Sequence, residues 1–527
     1  MDNKYYITTA IVYASAKPHI GNAYDPVLAD SIARYERMKG KDVFYLTGTD
    51  EHGQKIELKA NEANISPKEY VDKVSSEVKR VYDLLNISYD RFIRTTDSDH
   101  VNLCEKVFKK LYEQGDIYKD IYEGWYCTPC ESFFTDSQLI DGKCPDCGRE
   151  VTKEKEEAYF FRMSKYADKL IKYINENDLI LPESRKNEML NNFLLPGLKD
   201  LCVTRSNYTW GIKTGLDDKH IIYVWLDALF NYLTGIGYDT ENPSKDFYKY
   251  WPCDLHVIGK DIVRFHSIYW TIFLMALDLP LPKKILGHPW LLSKSVDDEI
   301  LKMSKSRGNV LYPDELVNIF GVDGVRFYLL SEMPYENDGV INIKLITEKY
   351  NSDLANVYGN LVSRTISMIN KYQNGLIAKC DKKIQLDVEL KNEFELRYNQ
   401  FIKFMDGYKI GDAINELMQM LKRLNKYIDE TEPWILAKDE DKKDLLKDVL
   451  YNLSEYIIKT SYLLYPFIPY TVDSIFDQFN VNINDIKFDN IINYELNDQI
   501  KVTENKINLF ERKEYDKVLE EFDNNGK

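Results

Sequence analysis

Three segments and a pair of cysteine doublets carry the chemistry open to this sequence. Pro18-His19-Ile20-Gly21-Asn22 stands where an apolar, β-rich run, Tyr5 to Val12, gives way to a helical pattern. A helix N-terminus offers unbonded N–H groups and partial positive charge, so phosphates settle there. Gly21 lets a nucleotide approach the backbone, and His19 can donate to a phosphate oxygen as charge develops. Without context the same string also reads as a turn and cap. Lys302-Met303-Ser304-Lys305-Ser306, followed by Arg307-Gly308-Asn309, places two ammonium groups on one polar loop. On a triphosphate they would neutralise the charge that moves onto pyrophosphate; by composition alone the run is a solvated loop. Gly48-Thr49-Asp50-Glu51-His52-Gly53 is a glycine-bracketed polar loop at the end of a β-rich run, the place where open α/β sheets bind ligands.

Cys127-x-x-Cys130 and Cys144-x-x-Cys147, with thirteen residues between the pairs, have the spacing of a four-thiolate zinc knuckle, and Gly148 permits a tight turn around the ion. Four thiolates close a tetrahedral shell, so one structural Zn²⁺ per chain is expected, against free buried cysteines or a redox pair.

These segments need elements to hold them. Tyr5–Val12, a helix from about Ala23 to Lys39 and Val43–Thr47 read as a βαβ unit. From about Asp116 to Lys213 the pattern turns irregular, as an insertion would. The α/β pattern resumes with strands at Ile221–Trp225 and Asp254–Gly259. Beyond Ile346 long helices take over, with Ile414, Leu417, Leu421, Leu424 and Ile428 at helical spacing. From Val481 the expectation is a loosely packed helix and a frayed end.

At 527 residues the chain needs more than one core. With 44% hydrophobic and 29% charged residues and no apolar run near spanning length, it reads as a soluble protein with no membrane association. Ala14-Ser15-Ala16 superficially resembles a signal-peptidase site, but Thr8 and Thr9 interrupt the apolar run and Asp2 weakens the basic flank, so a buried first strand and a cytoplasmic location are expected. A net charge of −16 argues against coating nucleic acid indiscriminately, yet a local basic stripe can still recognise RNA.

The His-Ile-Gly-x string followed far downstream by Lys-Met-Ser-Lys-Ser resembles the two signatures of class I aminoacyl-tRNA synthetases. Across most of the chain the likeness is to the methionyl-tRNA synthetase family. It implies a Rossmann-type parallel sheet, split by a zinc-binding connective insertion and followed by an α-helical anticodon-binding bundle. The divisions expected are 1–115 and 214–295 for the catalytic halves and 116–213 for the insertion. Residues 296–345 make the Lys-Met-Ser-Lys-Ser loop and stem-contact region, 346–480 the bundle and 481–527 a helical tail. The implied activity joins L-methionine to ATP as methionyl-adenylate, with Mg²⁺ accompanying ATP. Methionine then passes to the terminal adenosine of tRNA(Met), read through a CAU anticodon. A monomer is expected.

The resemblance also assigns residues. His19, Asn22, Lys302 and Lys305 would be catalytic. ATP would meet His19, Gly21, Asn22, Gly259, Asp261, Lys302, Met303, Ser304, Lys305 and Ser306. Ala10, Ile11, Tyr13, Asp50, Trp225, Tyr232, Ile262, Phe265 and His266 would surround methionine, with Asp50 taking the α-ammonium. An aromatic slot suits a thioether. Asn360, Arg364 and Trp434 would read the anticodon by base-edge bonds and stacking. Of the seven histidines, His19, His52, His256 and His266 fall in these segments. One departure stands out: the family's first signature usually ends in a second histidine, where this chain has Asn22. Its amide donates but cannot become cationic, so phosphate stabilisation is expected to be reduced or redistributed. A synthetase for another amino acid would share the two signatures without the methionine and anticodon set. A non-catalytic methionine or tRNA binder would not need the lysine loop. A nucleotidyltransferase of the same superfamily would leave the bundle without a purpose.

Overall fold

The computed structural model describes residues 3–130, 132–134, 136–145, 147–294, 300–303, 310–497, 499–505 and 507–525. They form two compact units, Met1–Pro18 with Asp42–Asp83 and Ile87–His288, and His19–Lys41 with Leu84–Asn86 and Pro289–Lys527.

In the first unit the N-terminal apolar run forms the strand Lys4–Thr9, buried at every residue. It sits inside a seven-stranded parallel sheet ordered Arg91–Arg94, Asp42–Asp50, Lys4–Thr9, Leu255–Gly259, Ile285–His288, Ile180–Leu181, with Val12–Tyr13 also pairing to Asp42–Asp50. Strands covered on both faces read as near-continuous apolar runs. Gly48 is dictated by pairing: a Cβ there would lie 1.8 Å from the carbonyl oxygen of Ile93. The chain places Asp42–Asp50 on one side of Lys4–Thr9 and, later, Leu255–Gly259 on the other, which makes the C-terminal end of this strand a topological switch point.

Three expectations are revised here. Of Ile221–Trp225 only Ile221–Ile222 forms strand, and it pairs antiparallel with Thr204–Arg205 outside the main sheet. The amides of Leu226 and Asp227 bond back to the carbonyl of Tyr223, opening the helix Val224–Leu229. A short buried apolar run has no period that separates helix from strand. The first strand likewise stops at Thr9, and Val12–Tyr13 resumes pairing beyond a break at Ala10 and Ile11. Within 116–213, an antiparallel sheet ordered Ser132–Phe134, Ile117–Cys127, Thr152–Phe161, Leu201–Cys202 is followed by a return to the main sheet, because Ile180–Leu181 pairs in parallel with Ile285 and Leu286. The charged run Lys153 to Glu157 lies on a strand, where Lys153 faces Glu123 at 3.1 Å.

In the second unit the helix Ile20–Met38 begins three residues earlier than periodicity suggests, since Ile20 is buried and polar Gly21-Asn22 hides the apolar stripe. A three-stranded sheet has Leu291–Lys294 between Ile300–Lys302 and Gly339–Ile341. Helix Pro313–Glu332 carries Arg326, fully buried. Its guanidinium meets Asp30 at 2.7 Å and donates to the carbonyls of Leu85, Pro466 and Phe467, so no donor group is stranded in the core. The bundle contains Asn360–Gln373, Gln385–Asp406, Ile410–Thr431, Lys443–Leu464 and Pro469–Phe479. Ile414, Leu417, Leu421, Leu424 and Ile428 all face its core. A short strand pair accompanies the helices, Leu376–Ile377 with Ile500–Lys501. The tail is anchored more firmly than its composition suggests, because Ile486, Ile491, Leu496, Val502, Phe510 and Val518 are buried along it.

Candidate active site and metal centre

His19 is the N-cap of helix Ile20–Met38. Its Nδ1 accepts from the amide of Gly21 at 3.1 Å, and its own amide donates to Oδ1 of Asn22 at 3.2 Å, a reciprocal capping box. Because Nδ1 is an acceptor, the proton of the neutral ring sits on Nε2, leaving that edge as a hydrogen-bond donor. Asn22 spends only its carbonyl oxygen on the cap, and its amide nitrogen remains a donor. The amides of Ile20, Gly21 and Asn22 are already taken, by the carbonyl of Leu311, by Nδ1 of His19 and by the carbonyl of His19, so what this helix end offers to phosphate oxygens is its partial positive charge with the imidazole N–H and the carboxamide NH₂ as side-chain donors.

In the first unit, Tyr13 pairs across the sheet with Asp50 at the strand end, and Ala14 donates to the carbonyl of Asp50 at 2.8 Å. The polar loop that follows is held rigidly. Glu51, fully buried, is bound by Arg94 at 2.7 and 2.9 Å, and its carbonyl accepts from the indole of Trp210 at 2.6 Å. Asp50 is itself buried.

Beside the sheet lies an aromatic slot. The rings of Trp225 and Phe265 stack 3.7 Å apart and nearly parallel, and His266 meets Trp225 edge-on at 6.5 Å. Lys260–Ile262 forms a 3-10 turn and Phe265–Trp270 a π-helical turn, which still lets Nδ1 of His266 donate to the carbonyl of Ile262 at 2.9 Å. A carbonyl only accepts, so this fixes the tautomer: Nε2 is the acceptor, and it receives the hydroxyl proton of Tyr232 at 2.7 Å. His256 is fixed in the same way, accepting from Trp270 at 3.2 Å and donating to Thr8 at 2.6 Å. Burial pushes His266 down to about 4, and His256 well below the usual range, so both rings are neutral. The slot is aromatic and lined by neutral rings, with the guanidinium of Arg264 4.8 Å from the centre of the Phe265 ring. Ala10, Ile11, Trp225 and Ile262 are half-buried against the same core. At the end of strand Leu255–Gly259, a Cβ on Gly259 would stand 2.7 Å from Oδ1 of Asp261, so the glycine leaves that carboxylate room over the backbone.

Lys302 ends the strand Ile300–Lys302 in the second unit, its ammonium 4.2 Å from the centre of the Trp290 ring, and Met303 is buried. Ser304, Lys305 and Ser306, with Arg307 to Asn309, lie outside the described residues.

The sulfurs of Cys127, Cys130, Cys144 and Cys147 all lie within 4.8 Å of one another, with Cys127 to Cys147 at 3.5 Å and Cys130 to Cys144 at 3.8 Å. These separations exceed a disulfide bond by far, while four thiolates about 2.3 Å from a central ion would stand roughly 3.8 Å apart. The donor set fits a tetrahedral metal ion. Gly148, with φ of 69°, closes the second turn by donating to the carbonyl of Cys144 at 2.8 Å.

On the bundle, Asn356 and Asn360 are exposed and Arg364 is half-buried, 3.4 Å from Asp429 on helix Ile410–Thr431. That helix ends at Glu432, whose φ of 45° is left-handed, and Pro433 and Trp434 open the next turn with the indole half-exposed.

The comparisons with known proteins can be set against this geometry. A family model for class I tRNA synthetases (M) matches residues 5–156 and 148–366, and one for the anticodon-binding domain of tRNA ligase matches 387–522. Methionine–tRNA ligases from Clostridium acetobutylicum and Clostridium tetani are 55% and 56% identical to this chain, each over 91% of it and 74% of their own length. The chain belongs to the methionine–tRNA ligase family. A solved Mycobacterium tuberculosis methionyl-tRNA synthetase in complex with methionyl-adenylate is 38% identical, covering 97% of this chain and 100% of its own, with a TM-score of 0.91. The family membership, class I parallel-sheet domain and helical anticodon-binding domain implied by the two sequence signatures therefore hold.

Within the family frame, the first unit brings together Tyr13 with Asp50, and Trp225, Tyr232, Ile262, Phe265 and His266. Sequence reasoning missed what fixes them. Arg94 on Glu51, Trp210 on the loop carbonyl, and the partners of Asp227 are contacts between residues far apart in the chain. Their only local trace is an unusual density of polar residues in otherwise buried segments.

Proposed function

We propose that this chain activates L-methionine with ATP and transfers it to a tRNA bearing a CAU anticodon. The observation that carries the reading is the aromatic slot with neutral His266 and Tyr232 locked in one hydrogen-bonding arrangement. It suits an apolar, sulfur-containing side chain and disfavours a charged one.

In this reading Asp50 holds the α-ammonium, and Ala10, Ile11 and Tyr13 flank the amino acid. The side chain enters the slot of Trp225, Tyr232, Ile262, Phe265 and His266. Asp261, beside Gly259, accepts from ribose hydroxyls. His19 through Nε2–H and Asn22 through its amide donate to phosphate oxygens at the helix N-terminus beside Gly21. Lys302 and Lys305, in the loop with Met303, Ser304 and Ser306, draw negative charge toward the leaving group. The methionine carboxylate attacks the α-phosphorus, the bond to pyrophosphate breaks, and the adenylate forms; a ribose hydroxyl of the tRNA terminus then attacks the carbonyl and AMP leaves. Orientation and charge stabilisation suffice, with no covalent enzyme intermediate. Mg²⁺ travelling with ATP would supply further charge neutralisation.

Cys127, Cys130, Cys144 and Cys147 would hold one Zn²⁺ that stabilises the connective sheet and takes no part in the reaction. Asn360, Arg364 and Trp434 would meet the anticodon bases. A monomer in the cytoplasm is the simplest setting. No disulfide joins any of the cysteines, and among the described residues no helix is long and apolar enough to cross a membrane. Residues 1–115 and 214–295 would carry activation, 296–345 the lysine loop, 116–213 the metal, and 346–480 with the 481–527 tail the tRNA contacts.

The test is ATP-dependent esterification of labelled methionine to a CAU tRNA transcript, alongside the same transcript with a changed anticodon. Charging of the first and not the second supports the reading; charging of neither, by metal-loaded folded protein, removes it.

A further inference from the structure

A buried carboxylate outside the roles above ties two parts of the first unit together. Asp227 is fully buried on helix Val224–Leu229. Its Oδ2 lies 2.7 Å from Nδ1 of His52 and its Oδ1 lies 2.8 Å from Nε2 of His100, on helix Ser98–Glu113. An ionised carboxylate only accepts, so each ring donates one N–H to it. Burial pushes Asp227 up, but His52 and then His100 more than reverse this and keep it below the ordinary carboxylate range. His100 is held from behind by Thr234 at 3.0 Å, and Cys104 lies 3.4 Å from its Nε2.

The cluster of His100, Cys104 and Asp227 has metal-ligand chemistry, but its spacing is that of direct hydrogen bonds. An ion bound at about 2.0–2.2 Å would hold tetrahedral nitrogen and oxygen ligands more than roughly 3 Å apart.

Its place in the fold gives it a different use. His52 follows Asp50 by two residues in a loop already fixed through Glu51 and Trp210. Asp227 follows Trp225 by two residues on a short helix whose indole stacks on Phe265. The His52–Asp227 bond therefore connects the loop that carries the ammonium-binding carboxylate to the helix that carries the slot wall. Truncating one partner of a buried charged bond leaves the other uncompensated, so the helix and loop would shift to resolve it.

We propose that His52 and Asp227, braced by His100, are positioning residues for methionine: they set the distance between Asp50 and the Trp225 wall. This rests on the roles given above to Asp50 and Trp225. The clamp acts on amino-acid binding and leaves phosphate handling alone.

The experiment is methionine-dependent pyrophosphate exchange with KM measured for methionine and for ATP, on H52A, H52N and D50N, with the thermal midpoint of each. Asparagine can place its amide nitrogen where the Nδ1 of histidine stood and keep the donor to Asp227. H52A is expected to raise the methionine KM about tenfold or more while the ATP KM moves less than about twofold, and H52N is expected to recover most of that loss. D227N should repeat the H52A pattern, and if it fails to fold the His52 pair still decides. A folded H52A with unchanged methionine KM overturns the clamp, as does an H52N as impaired as H52A or an equal rise in both KM values. If D50N leaves the methionine KM unchanged, the underlying reading of Asp50 fails first; if D50N raises it and H52A does not, only the clamp fails.

Discussion

Asn22 shows how one residue can serve a helix and a reaction at once. Its oxygen closes the capping box with the amide of His19, so the residue that departs from the family's second histidine is also a cap. Its amide nitrogen points to phosphate chemistry. These two uses separate by mutation. N22A should lower the rate of pyrophosphate exchange by about 100-fold and cost about 1 kcal/mol in stability for the lost hydrogen bond. N22D keeps the acceptor for His19 but replaces the donor with a charge that repels phosphate, so its urea midpoint should stay near wild type while exchange falls as far or further. Exchange unaffected in N22D would remove Asn22 from the reaction. The neutral histidines make a second residue-scale prediction. The unfolded ring titrates at 6.5, whereas burial lowers His266 to about 4 and His256 well below 6.5. Between those values the unfolded chain binds more protons, so stability rises with pH there. It is fully present above about 6.5 and falls as pH drops toward 4, by about 3 kcal/mol for His266. Urea midpoints measured from pH 4.5 to 7 should show this slope, shallower in H266Q; a flat wild-type profile contradicts neutral buried rings.

At the scale of elements, the four-cysteine turn and the anticodon surface each make a prediction. C144S should lose bound metal, measured as ion per chain, and loosen the sheet around Ile117–Cys127 and Thr152–Phe161 to proteolysis. tRNA charging should suffer more than pyrophosphate exchange, because the ion orders an element and does not meet the reacting atoms. R364A or W434A should likewise lose far more in charging than in exchange, Trp434 by the ~1 to 3 kcal/mol of a lost base stack. What was legible in the sequence follows from the same physics. The turn and helix cap at His19, the clustering of the four cysteines and the bundle stripe are local patterns, and each forms as its pattern directs. The sequence reads Ile221–Trp225 as strand, whereas Val224 and Trp225 open the helix Val224–Leu229, because a short apolar run has no period that separates the two. Ile180–Leu181 joins the main sheet through a partner more than a hundred residues later, which no local window contains. The tail packs more firmly than its polar composition implies because scattered apolar residues such as Ile491 and Phe510 find buried places that mean composition conceals. In the pocket, residue types were legible; the tautomers and the Asp227 bonds come only from tertiary contacts.

For the whole molecule, the formal charge of −16 and the tRNA substrate are compatible only if recognition is local. Charging should therefore weaken with salt less steeply than for a protein that coats nucleic acid, since few phosphates need to be neutralised. The chain spans about three quarters of the length of its clostridial relatives and matches the synthetase and anticodon-binding family models along most of its own. Amino-acid selection is the property on which the whole account turns, because the phosphate signatures are common to class I enzymes and the slot is not. The most direct test is exchange of labelled pyrophosphate into ATP with methionine, leucine, isoleucine, valine or cysteine as the only amino acid. Exchange with methionine is expected at a kcat/KM well above all four others. Exchange with leucine or valine equal to that with methionine would contradict it, and so would no exchange at all from folded, metal-loaded protein.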